Sequence, residues 1–217
     1  MTSAQVRDAY LAALLRADPQ GARQVVDAAV EAGMSLQALY LEVFQPALHE
    51  VGRLWEEGEA TVAQEHLATA TTQTLAARLS ARIAATPQPE LTAIVSGTQD
   101  ELHALGSRFV GDFLEAEGWT VIDLGPGTPT ADLVRIVAER RPKLVCLSTA
   151  LAPHLVHAEE AIAALRRLDA PPLIAVGGHA YEGRPDLAAH VGADVHASDA
   201  AAFLTRLREL DLVGAGR

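Results

Sequence analysis

A single cysteine in 217 residues, Cys146, excludes an internal disulfide framework and a cysteine-rich zinc site. It lies in the apolar run Leu144-Val145-Cys146-Leu147, where a thiol serves as a small buried hydrophobe. Basic residues are also scarce: 17 Lys and Arg against 28 Asp and Glu give a formal net charge of -11. Sequence-independent nucleic-acid binding rests on Lys and Arg neutralising phosphates, so no direct nucleic-acid partner is expected. The same balance disfavours docking on an anionic membrane. No uncharged stretch approaches the ~20 residues of a membrane-spanning helix, and no basic-then-apolar leader opens the chain. The expectation is a cytoplasmic protein. Hydrophobic residues, by contrast, make up 49% of the chain and charged ones 21%, enough for a substantial core and unlike a disordered segment.

Residues 1–86 read as a four-helix bundle. Val6, Tyr10, Leu11, Leu14 and Leu15 have amphipathic spacing, ended by Asp18-Pro19. A second helix runs from Pro19 to Ala32 and stops at Gly33. Ser35 caps a third, carrying Leu36, Leu39, Tyr40, Val43, Leu48, Val51 and Leu54, which Pro46 should kink. Gly58 breaks the pattern, and Thr61 with Gln64 forms a capping box for a fourth helix reaching about Ala85. Short loops make the four antiparallel neighbours.

Thr86-Pro87-Gln88-Pro89 reads as a linker. Beyond it, over residues 90–217, strand-length apolar runs (Leu91–Val95, Thr120–Leu124, Leu144–Leu147, Leu173–Val176 and a short Ala193–His196) alternate with helical stretches. The last helix has Asp199 or Ser198 as its cap. Near-continuous apolar strands separated by helices predict a parallel sheet covered on both faces. The whole is α/β with an all-α cap, its second domain a flavodoxin-like, doubly wound, five-stranded sheet. Ligands of such sheets bind beyond the carboxyl ends of the strands, which directs attention to the loops after Ser96, Leu124 and Ser148 and to Gly177-Gly178.

The first of these loops reads Gly97-Thr98-Gln99-Asp100-Glu101-Leu102-His103-Ala104-Leu105-Gly106. It lacks the Gly-x-Gly-x-x-Gly fingerprint, which argues against a nicotinamide or flavin dinucleotide. In its place stand an acid, a spacer, a histidine, two residues and a glycine. A histidine there can aim its imidazole at a metal, while an acid two residues earlier accepts the other ring N–H and raises ligand basicity. The glycine permits close approach by a bulky group. A solvent-facing histidine beside ordinary hydrophilic acids would give the same letters.

Glu101-Leu102-His103-Ala104-Leu105-Gly106 resembles the cobalamin-binding signature Asp/Glu-x-His-x-x-Gly. In that family a flavodoxin-like domain replaces the cofactor's dimethylbenzimidazole with the histidine and buries the nucleotide tail beside the sheet. The resemblance makes His103 the cobalt ligand and Glu101 its hydrogen-bond partner, with adjacent Asp100 as the alternative. Leu147-Ser148-Thr149-Ala150-Leu151 resembles the family's serine loop, although Ser-x-Leu has become Ser-x-Ala, and Val176-Gly177-Gly178 resembles its paired glycines. His179 follows these and is a further candidate contact of the tail.

The segment from Val51 to His66 is similar to the helical cap that precedes many cobalamin domains and shields the upper face of the corrin. Trp55, followed after nine residues by Glu65-His66, resembles CarH-type photoreceptors, which hold adenosylcobalamin and release its adenosyl group under light. The resemblance implies an indole packed over the adenosyl group and a carboxylate–imidazole pair bordering its pocket. Two features depart from that pattern. The chain opens on the bundle where those receptors carry a MerR-class DNA-binding domain, and Glu56 stands where they have a cobalt-capturing histidine. His49, His66, His154 and His157 are candidates to replace it. These departures also resemble the photocobilins, which add a bilin above the corrin, here without a thioether link to Cys146. The expectation is a non-enzymatic, cobalamin-dependent light sensor that signals as a homo-oligomer or through a protein partner. The alternatives are a corrinoid carrier that shuttles methyl groups on methylcobalamin, a dual cobalamin and bilin receptor, and a storage binder.

Overall fold

The structure, a computed structural model, describes residues 1–83, 85–197 and 199–210. It divides into two compact units, Met1–Arg82 and Ile83–Arg217. Among the described residues no helix is long and apolar enough to cross a membrane.

The first unit is helical. α1 (Ser3–Leu15) packs on α2 (Pro19–Glu31), α4 (Gln45–Glu56) and α5 (Val62–Ser80). Asp18 caps α2 by accepting from the Gly21 amide, ahead of a proline in the first turn. Thr61 and Gln64 make the reciprocal capping box of α5. The core is built on Tyr10, Tyr40 and Phe44, all fully buried, with ring centroids 5.1 Å (Tyr10–Phe44) and 5.8 Å (Tyr40–Phe44) apart. Each buried phenol finds a partner, Tyr10 with Thr72 at 2.8 Å and Tyr40 with the Ala76 carbonyl at 3.2 Å, which removes the cost of an orphaned hydroxyl.

Two expectations for this unit need correction. The third helix carries a π-helical segment, Leu39–Phe44, between α3 (Leu36–Ala38) and α4, immediately before Pro46. The Gln45 amide reaches back five residues to the Tyr40 carbonyl. Pro46 lacks an N–H and its ring would crowd the carbonyl four residues earlier, so the wider turn absorbs the proline within a continuing helix. The fourth helix ends at Ser80, short of Ala85.

The second unit is a five-stranded, all-parallel sheet in the order β2-β1-β3-β4-β5. Its strands are β1 (Gln88–Gly97), β2 (Trp119–Asp123), β3 (Leu144–Ser148), β4 (Leu173–Gly177) and β5 (Val195–His196). This is the flavodoxin-like order, with its topological switch between β1 and β3. Ile94, Val145, Leu147, Ile174 and Val176 point to one face, against α7 (Thr130–Arg140), α8 (Leu155–Leu165) and α9 (Pro185–His190). Val95, Cys146 and Ala175, adjacent in register, alternate to the opposite face. α6 (Leu105–Ala116) and α10 (Ala200–Glu209) pack on each other, and α6 also on β1 and β2.

β1 starts earlier than its apolar run, inside the stretch that reads as a linker. Gln88 pairs with Trp119, and the register shifts between Gln88 and Thr92. β5 is shorter than expected, only Val195–His196. Asp199 caps α10, accepting from the Ala202 amide at 2.8 Å; the other candidate cap, Ser198, lies outside the described residues.

Candidate functional site

The chain leaves β1 into a tight loop. The Thr98 amide donates to the Ser148 carbonyl at 3.0 Å and the Glu101 amide to the Thr98 carbonyl at 3.0 Å, while Asp100 adopts a left-handed φ of 64°. This turn drives Glu101 fully inside. An isolated buried carboxylate would be costly, but five donors converge on this one. Its Oε1 accepts from the His103 amide at 3.0 Å and the His103 Nδ1 at 2.5 Å. Its Oε2 accepts from the Ala150 and Leu151 amides at 2.8 and 3.1 Å and from the His154 Nδ1 at 3.1 Å. Burial pushes the Glu101 carboxyl up, but these hydrogen bonds overcome it and hold the group at about 2, below its usual 4.5.

An ionised Glu101 fixes the His103 tautomer: Nδ1 carries the proton and Nε2 keeps its lone pair. The imidazole is 62% exposed although one edge is fastened, so a nitrogen able to bind a metal is presented outward on a fixed ring. Leu102 beside it is 80% exposed. Asp100, the alternative partner, instead lies 3.3 Å from the His157 Nε2. Of the two candidate acids, Glu101 is the one bonded to the His103 ring.

The remaining loop residues meet at the same strand ends. A Cβ on Gly106 would lie 3.5 Å from the Ser148 Oγ, so the start of α6 and the serine loop face one another across a narrow gap. Thr149 is fully buried and its hydroxyl lies 3.3 Å from that of Thr98. The paired glycines have separate tasks. Gly178, at φ 105°, presses on the Thr149 backbone so closely that a Cβ would come within 2.4 Å of its carbonyl oxygen. A Cβ on Gly177 would meet nothing within 4 Å, leaving free space at the end of β4. His179 pairs with Glu182 at 2.6 Å.

In the helical unit, Trp55 near the end of α4 is 46% exposed, unusual for an indole with so much apolar surface to bury. Glu65 and His66 sit in the first turns of α5, joined at 2.6 Å, and Glu65 also accepts from the Thr69 hydroxyl at 3.0 Å. Cys146 is buried, and burial pushes its thiol up, away from the reactive thiolate.

Sequence reasoning missed the role of His154 and of the Ala150 and Leu151 amides. The available signal was a histidine just beyond β3, on the partner side of the switch point.

The donor set can be tested against a corrinoid. Among the described residues no group of three or more His, Cys, Asp or Glu is placed to hold a metal ion. A bare ion needing four protein ligands does not fit. A lone, oriented imidazole with glycines and a serine around it fits a metal that arrives with its equatorial positions already filled.

Comparison with known proteins agrees. A family model described as a B12 binding domain matches residues 6–80, and a second of the same description matches residues 91–205. The chain is 33% identical over 162 residues to the HTH-type transcriptional repressor CarH of Myxococcus xanthus, covering 74% of this chain and 53% of CarH, about half the length of that relative. It is 25% identical over 166 residues to dimethylamine corrinoid protein 3 of Methanosarcina acetivorans, covering 75% of this chain and 77% of that protein. Among solved structures, the Methanosarcina barkeri monomethylamine corrinoid protein shares the fold with a TM-score of 0.84 at 19% identity, covering 96% of this chain and 100% of that one. Motif, fold and family matches converge: the chain belongs to the B12-binding family and is a cobalamin-binding protein with a helical unit and a flavodoxin-like unit.

Proposed function

We propose that this chain is a cobalamin-dependent light sensor, a regulatory binding protein without turnover, with His103 as the lower cobalt ligand. The observation that carries the reading is the half-exposed Trp55 near the end of α4 together with the Glu65–His66 pair in the first turns of α5, in a chain 33% identical to CarH over 162 residues. Adenosylcobalamin supplies a cobalt–carbon bond that light can break. His103 would hold the cobalt through Nε2, while Glu101 keeps that ring turned and its Nδ1 proton in place. Ser148 and Gly177 line free space at the strand ends suited to the nucleotide tail. Trp55 offers a flat apolar wall to an adenosyl group, and Glu65 with His66 offers hydrogen bonds to ribose hydroxyls and adenine nitrogens. Glu56, a carboxylate, would not replace the adenosyl group with an imidazole after illumination, so the lit state would differ from that of the CarH-type receptors.

A second reading is a corrinoid carrier that presents methylcobalamin to partner methyltransferases. It draws on the 25% identity to a dimethylamine corrinoid protein over 77% of that protein's length. A carrier needs an accessible upper face and gains nothing from an adenosyl pocket. One experiment separates the two. The protein is reconstituted with adenosylcobalamin in darkness, then its spectrum and elution volume are recorded before and after green light. The sensor reading expects a changed cobalamin spectrum and a shift in oligomeric state, with tighter binding of adenosyl- than of methylcobalamin. An unchanged spectrum with equal affinity for both cofactors would leave the carrier.

A further inference from the structure

β2 stands at one end of the sheet, with β1 on one side and, among the described residues, no strand on the other. The Leu124 amide donates inward to the Val95 carbonyl. Backbone groups alternate sides along a strand, so Trp119, Val121 and Asp123 turn their N–H and C=O groups to the free edge. Such edges are commonly blunted by lysine or proline, yet Trp119-Thr120-Val121-Ile122-Asp123 holds neither, and Thr120 is exposed. Trp119 itself is buried, and its indole Nε1 has no hydrogen-bond partner among the described residues. Beside this edge a groove of about 470 Å3 lies between the end of β2 and α7. Leu124 and Ile136 give it apolar surface, and Asp132, Arg135 and Glu139 follow at helical spacing with the cation between the acids. Arg135 pairs with Asp132 at 2.8 Å, but both side chains are more than half exposed, so water screens the pair and leaves it open to exchange.

We propose that this edge is an interface between two copies of the chain, in which β2 pairs antiparallel with β2 of the second copy about a two-fold axis at Val121. This register leaves no outward backbone group of the strand unmet. Val121 exchanges both hydrogen bonds with its counterpart, and Trp119 of each copy does so with Asp123 of the other. Trp119 and Asp123 share a face of β2, so the same pairing sets a carboxylate beside the indole that lacks an acceptor. Ile122 and Leu124 alternate to the face covered by α7. There the two-fold axis makes the α7 stripes antiparallel, and Arg135 of each copy meets an acid of the other. Strand register and charge order are both self-complementary, which favours a second copy over an unrelated segment. The surface is built from β2 and α7 and does not include His103, so the pairing is independent of the light-sensing reading and is expected with or without cofactor.

The full chain, purified in darkness without cofactor, is expected to sediment as a dimer at micromolar concentration. Val121→Pro removes an outward N–H and spares the ladder to β1. It should keep the melting temperature and weaken the dimer about 10- to 100-fold, because one bond is lost from each copy at the axis. Thr120→Lys brings two cations close to the axis and should weaken the dimer at least about 10-fold, whereas Thr120→Ser should leave it unchanged. A nitroxide on Thr120→Cys checks the register; Cys146 is buried and escapes the label. Paired strands lie roughly 5 Å apart, so the two labels should broaden each other's electron paramagnetic resonance lines, and dilution with unlabelled protein should remove the broadening. A chain that stays monomeric through the micromolar range overturns the inference. So does a dimer that keeps its full affinity in Val121→Pro and Thr120→Lys, or one whose labels do not broaden. Should Val121→Pro not fold, Thr120→Lys at its exposed site decides: full dimer affinity there overturns the interface.

Discussion

Glu101 is the residue through which folding and ligand presentation meet. Replacing it by Gln keeps the shape but makes one side of the group a donor, facing amides and an imidazole that are themselves donors. Glu101→Gln should therefore cost about 1–3 kcal/mol of stability, read by urea denaturation at neutral pH. The pH dependence has a definite sign. The Glu101 carboxyl is held at about 2 in the folded chain against its usual 4.5, so its contribution is complete above 4.5 and fades as the pH falls toward 2. The stability gap between wild type and Glu101→Gln should stay flat from pH 7 to 5 and close below pH 4. A gap that widens in acid would contradict this. The paired glycines yield a second residue-scale expectation. Gly178, with φ 105° and ψ 169°, occupies a region almost reserved for glycine and abuts the Thr149 backbone, so Gly178→Ala should lose about 3 kcal/mol or more. Gly177→Ala meets no neighbour; its melting point should hold while cobalamin binding weakens, and equal effects at both positions would refute the division of labour.

At the level of helices and strands, local chemistry was readable and long-range geometry was not. The Thr61–Gln64 capping box is a spacing of three residues and could be seen directly in the letters. Thr61→Ala should lower stability by about 1 kcal/mol, measured as a shift in the denaturation midpoint with unchanged slope. The acid–x–His pair was equally legible, because the turn that joins Glu101 to His103 is local. The clasp between Glu101 and His154 was not, because the two lie 53 residues apart and meet only when β3 pairs alongside β1. The π-helical turn before Pro46 escaped for another reason: one residue of slippage barely disturbs an amphipathic pattern, whereas a proline reads simply as a kink. The start of β1 was hidden because Thr86-Pro87-Gln88-Pro89 reads as a linker, although Gln88 pairs with Trp119 ahead of a register shift.

For the molecule as a whole, the net charge of -11 and the family assignment point to a small-molecule cofactor as the ligand that sets its stability. Anything that binds only the folded state adds stability by mass action, about 2.7 kcal/mol at a concentration 100 times its Kd. Hydroxocobalamin at that excess should raise the apparent melting temperature by roughly 5–11 °C. His103→Ala should lose most of that rise at the same cofactor concentration, and an equal rise in both proteins would speak against the ligand. The sheet's outer margin carries a further consequence. β5 offers only Val195 and His196, and Asp194 just before it is engaged by the Ile174 amide and by Arg166. Among the described residues a visiting strand would find little backbone there to zip onto, which disfavours growth of the sheet from one molecule into the next on that flank. A companion arriving from that side would meet mainly helices and loops.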